Sequence, residues 1–224
     1  FAWSPNENNI SYAEMMASVS EVSEDAASVR AMVSQYTGKS PDHFALAFTE
    51  YNSNTGHREV AMANALFIAR VLLAQIQEGF DLSMIWNLQS GVAANGGSHG
   101  LLARNSPNLP DGTPRPAYFA LWLLQRYLGE SLVTMATNVT GAYAVETTHA
   151  NGAKGGILIN TDSQTHTFTW DSPSNAFPFV HWDVLSAEHE TSKLVALNGV
   201  SSPFVEGGPV APEQMLGRGV LETE

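Results

Sequence analysis

Glu50 stands at the end of a short, nearly continuous apolar run, His43-Phe-Ala-Leu-Ala-Phe-Thr49, and is followed at once by Tyr51 and Asn52. A run of that length after Ser40-Pro41 predicts a buried parallel strand. In parallel α/β folds the carboxyl ends of strands hold the functional groups, so a carboxylate there is a catalytic candidate. The same position also suits a carboxylate that pairs with an arginine or is solvated in a loop. Trp86 ends the next apolar run, Leu82-Ser-Met-Ile-Trp86. Its indole can floor a sugar ring, whose C–H face stacks on aromatics, or it can pack between strand and helix. His99 lies in the loop that follows, residues 91 to 114, rich in Gly, Asn, Ser and Pro, and can reach the same place.

Helices must position these strand ends. Ser23-Glu24-Asp25 reads as a capped helix start, Val29, Met32, Val33 and Tyr36 follow at helical spacing, and Gly38 closes the helix. A second, shorter helix fits Tyr12 to Val19. After the polar segment from Ser53 to His57, a long helix is predicted from about Glu59 to Glu78, apolar on most faces and stopped by Gly79. Pro116 opens another that runs to Leu128, with Gly129 at its end. Residues 1 to 129 therefore alternate helix and strand, the mark of a parallel sheet or barrel.

From Ser131 the pattern changes. Short strands are predicted at Leu132–Thr137, Ala142–Thr148, Gly156–Asn160, His166–Trp170, Phe179–Leu185 and Leu194–Leu197, divided by turn residues such as Asn151-Gly152 and Asn160-Thr-Asp162-Ser163. Residues 130 to 224 read as an antiparallel β-sandwich, with no clear element after Pro209. The expected class is α/β followed by all-β, with the division near 129 to 131.

Ten basic against 22 acidic residues give a net charge of −12, and only Lys39, Lys154 and Lys193 are lysines. Such a chain repels nucleic acid and anionic membranes and suits a neutral substrate, or simply solubility. No apolar run reaches the ~20 residues of a membrane helix. The absence of cysteine excludes disulfides and thiolate metal sites. Neither His181-Trp-Asp183 nor His189-Glu190 has zinc spacing, no phosphate loop is present, and no cofactor is expected. The compartment stays open, a secreted or periplasmic setting being favoured.

Phe48-Thr49-Glu50-Tyr51-Asn52 resembles the nucleophile segment of clan-A retaining glycosidases, above all β-xylosidases, arabinofuranosidases and certain endoglucanases. The likeness extends through the long helix, Met84-Ile85-Trp86-Asn87, the helix Thr113 to Trp122 and Gly155-Gly-Ile-Leu-Ile-Asn160, over about residues 24 to 185. It implies the last strands of a (β/α)₈ barrel, that is, a partial TIM barrel, followed by the sandwich. It also implies a double displacement in which Glu50 attacks the anomeric carbon, Trp86 bounds the sugar pocket, and Tyr51 and Asn52 orient Glu50 or the sugar. A second carboxylic acid about 5–5.5 Å away would protonate the leaving oxygen. The substrate would be a plant or algal polysaccharide or oligosaccharide.

That second acid should come from an Asn-Glu dipeptide, and Asn6-Glu7 is one. Glu7, however, stands only 43 positions before Glu50, whereas three βα units take about 70 residues. Phe1-Ala-Trp3 then fits the end of the strand just before that of Glu50. The chain is expected to be a fragment, a shortened barrel, or a half-barrel completed by a second chain or copy. The alternative is a non-catalytic carbohydrate-binding or assembly module, for which Trp170 and Trp182 would form an exposed aromatic row.

Overall fold

The structure, a computed structural model, describes residues 10–169 and 180–211, and the backbone alone of residues 2–3 and 219–221. Glu7 and Trp170 lie outside the described residues.

Strand β1 (Ala2–Trp3), β2 (Ala47–Tyr51) and β3 (Leu82–Ile85) form a parallel sheet in that order. Ala2 lies opposite Glu50 and Trp3 opposite Tyr51, so the first residues form the strand beside that of Glu50. Three strands do not close into a barrel. Between β1 and β2 run helices α1 (Tyr12–Ala17) and α2 (Glu21–Thr37). Ser11 caps α1 in a capping box with Glu14.

The predicted cap at Ser23 is corrected. A 3₁₀ turn at Ser18–Ser20 carries α1 directly into α2, which leaves no free helix end there, and the Ser23 hydroxyl instead donates to Glu78 at 2.7 Å. Gly38 does close α2, at φ +65°. The predicted apolar stripe of α2 is also corrected. Val22 and Ala26 are buried, whereas Met32 is 51% and Tyr36 81% exposed. The second half of α2 stands off the sheet across a cleft lined by Val29, Arg30, Val33, His43 and Leu46.

Helix α3 (Met62–Gln77) is buried at ten positions, as its all-round apolar character requires. Its Phe67, Ile68 and Val71 pack on Phe48 and Tyr51 of β2 and on Met15, Val19 and Val22. Side chains of this size contribute about 1.5–3 kcal/mol each on full burial. The long loop after β3 contains a short parallel pair, β4 (Gln89–Ser90) and β5 (Leu102–Ala103). Helix α4 (Pro116–Tyr127) packs against α3.

Past α4 come antiparallel β6 (Ser131–Met135), β7 (Ala142–Thr148) and β8 (Lys154–Asn160), the last two joined by the expected Asn151-Gly152 turn with Gly152 at φ +81°. Gly129 is required where α4 meets this sheet, because a Cβ would stand 2.3 Å from the Thr148 carbonyl. The remaining strands are shorter than predicted. β9 (Val180–Trp182) pairs with β13 (Gly219–Leu221), a strand the sequence reading did not find. β10 (Leu185–Ser186), β11 (Ala196–Leu197) and β12 (Val200–Ser201) make a third small sheet. Residues 166–169 form no strand. The antiparallel character is as expected, but the strands are divided among three small sheets. Leu73, Phe119 and Leu124 share one core with Val145, Ile159, Val195 and Leu197, so helices and antiparallel strands are packed together.

Candidate active site

Strand β2 is not buried on both sides as predicted. Phe48 and Tyr51 face the helices, and the register with β3 shifts between them. The shift leaves Thr49 exposed and Glu50 half-buried as the penultimate strand residue. Among the described residues, helices cover only one face of the sheet. On the other, Leu82, Met84, Trp86 and Leu88 alternate as exposed apolar side chains, Trp86 at 50%. The Glu50 carboxylate makes no hydrogen bond or ion pair among the described residues.

Around this strand end lies a cluster of buried polar groups, and such groups persist only when hydrogen-bonded. Asn52 is its centre. Its Nδ2 donates to the carbonyls of Trp86 and, at 2.9 Å, of His99. Its Oδ1 accepts from Ser53 N at 2.8 Å and from Asn64 Nδ2 at 3.1 Å. Asn64 also donates to the Glu59 carbonyl and accepts from the Ser53 hydroxyl. Trp86 N donates to the Tyr51 carbonyl at 2.9 Å and Asn87 N to that of His99 at 3.1 Å. Asn52 therefore clamps the ends of β2 and β3 to the His99 loop, and its amide is fully engaged in doing so.

Tyr51 points the other way. Its ring meets Phe48 edge-on at 6.0 Å in the core, and burial pushes its phenol up to about 12 despite a hydrogen bond with Ser83. The structure thus brings Glu50, Trp86, Asn52 and His99 to one end of the sheet and turns the Tyr51 side chain into the core.

Sequence reading passed over Glu59. This carboxylate is 4% exposed, accepts from Gly56 N at 3.0 Å, and faces His99 Nε2 at 3.6 Å. Gly97 packs on it so closely that a Cβ would stand 2.6 Å from its Oε2. The available signal was an acid in the first turn of the helical segment after Gly56. Arg115, also buried, feels Glu206 and Glu59, while burial lowers its pKa. Its Nε and Nη2, like Asn87 Oδ1, have no partner among the described residues. No three His, Asp or Glu side chains among the described residues converge as a metal ion would require, and no described helix is long and apolar enough to cross a membrane.

No protein-family model and no curated protein matches the sequence. Among solved structures, an α-L-arabinofuranosidase from Thermotoga maritima in complex with arabinose aligns over 89% of this chain and 37% of its own, with a TM-score of 0.46 and 15% identity. A thermostable GH51 α-L-arabinofuranosidase from Thermotoga petrophila aligns over 68% of this chain and 31% of its own, with a TM-score of 0.42 and 18% identity. The chain thus spans about a third of the length of either enzyme.

Proposed function

We propose that this chain carries the nucleophile side of a retaining glycoside hydrolase of the clan-A kind, with Glu50 as the nucleophile. The observation that carries the reading is Glu50 at the carboxyl end of the central parallel strand, half-buried, on the sheet whose next strand presents an exposed indole at Trp86. The Glu50 carboxylate attacks the anomeric carbon, and the glycosidic bond breaks toward the leaving oxygen, which takes a proton from an acid. Water then attacks the anomeric carbon of the ester while the conjugate base of that same acid takes its proton, which releases the sugar and the Glu50 carboxylate and restores the acid. Trp86 offers the stacking floor and His99 a polar contact, while Asn52 fixes the segments that carry both. The acid is proposed to come from Glu7 or from a second chain or further segment that covers the open sheet face. The substrate is a plant or algal polysaccharide or oligosaccharide.

Activated 2-fluoro-glycosides test this without needing the acid, because their leaving groups depart unaided. Intact-mass measurement is expected to show a glycosyl adduct on the unaltered chain and none on Glu50→Gln. No adduct from any of several pentosyl and hexosyl reagents overturns the claim for this chain. The exposed row Leu82, Met84 and Leu88 supports a second reading, an assembly module whose partner covers that face. A chain that stays unlabelled yet associates through that row would favour it.

A further inference from the structure

The polar cluster also contains a pair that the hydrolase mechanism above leaves unexplained. His99 sits on a segment bonded directly to the end of β3, because its carbonyl accepts from both Asn52 Nδ2 and Asn87 N. Its side chain is 36% exposed, that of Glu59 only 4%. Nε2 faces the Glu59 carboxylate at 3.6 Å, an electrostatic contact beyond hydrogen-bond range. Nδ1 has no partner among the described residues. Glu59 is itself pinned, through Gly56 N on one carboxylate oxygen, Asn64 on its carbonyl, and the close approach of Gly97. A buried acid held from three sides and aimed at one nitrogen of a half-exposed imidazole is a device for setting that ring.

We infer that Glu59 is a positioning residue: it holds His99 by Nε2 and leaves Nδ1 to hydrogen-bond a hydroxyl of the sugar seated on Trp86. This rests on the carbohydrate reading of the site but needs no chemistry at Glu50. The ligand class is a neutral sugar with a hydroxyl at the ring edge. His99 sets which sugar fits, and Glu59 acts only through it.

The test uses the full chain in solution. ¹³C relaxation at His99 Cε1 is expected to report an ordered ring, which becomes mobile in Glu59→Gln. Affinity is read from the Trp86 indole N–H signal during titration with D-xylose, L-arabinose and D-glucose. The sugar that binds is expected to weaken about tenfold in His99→Ala, the effect of one lost hydrogen bond. His99→Asn, whose amide falls where Nδ1 was, recovers most of the affinity, and His99→Gln, whose amide falls where Nε2 was, recovers little. Unchanged ring order in Glu59→Gln, affinity indifferent to His99→Ala, better recovery by Gln than by Asn, or no response to any of the three sugars overturns the inference. If Glu50 takes no fluoro-glycoside while these results hold, only the hydrolase reading fails.

Discussion

At the carboxyl end of β2, Asn52, Ser53, Asn64 and Glu59 are buried and bonded to one another and to the two segments beside them. At the amino end, Asp42, His43 and Asp81 stand around an open cleft of about 400 Å³. The same strand thus begins among exposed polar groups and ends among buried ones. Buried polar groups have strict partners, so they fix geometry, whereas solvated ones exchange partners with water at little cost. That contrast favours the carboxyl end for the proposed chemistry even though an open cleft lies at the amino end.

Substitutions can break the contrast. The largest effect is expected from Asn52→Ala, which removes four hydrogen bonds and strands buried partners. It should cost about 2–4 kcal/mol in chemical denaturation, and the Trp86 indole signal should shift. Gly97→Ala, which pushes a methyl into the Glu59 carboxylate, should cost about 1–3 kcal/mol by overpacking. Tyr51 supplies a pH handle. Its phenol is raised from 10.0 to about 12, so its contribution to stability is complete below pH 10 and is lost as pH rises through 12. Denaturation across that window should weaken the chain, and Tyr51→Phe should flatten the fall. Tyr127, raised by burial and by its hydrogen bond with Asp183, leans the same way but is more exposed. The smallest effect belongs to the amino end, where Asp42→Ala should change stability by no more than about 0.5 kcal/mol. A loss there as large as that of Asn52→Ala would erase the contrast.

Much of this was legible in residue order. The apolar run ending at Trp86, the all-round apolar α3, Pro116 at the start of α4 and the Asn151-Gly152 turn are local signals, and each element formed where its signal lay. The strand expected over His43–Thr49 instead spans Ala47–Tyr51, because Pro41–His43 turns as a 3₁₀ helix. What sequence hid depends on contacts far along the chain. Ser23 has a cap's chemistry, yet the turn before it continues the helix. Met32 and Tyr36 have core chemistry, yet both are left exposed among the described residues. Asn52 looked like a residue aimed at substrate. Its partners, 34 and 47 positions away, make it the clamp instead. Glu59 and His99 meet across 40 residues, a pairing no spacing rule reveals.

The most direct measurement is peptide-level localisation of the glycosyl label after reaction with an activated 2-fluoro-glycoside. The account predicts a single ester on Glu50, absent from Glu50→Gln. A label on Glu59, on Glu7 or on no residue at all would contradict it.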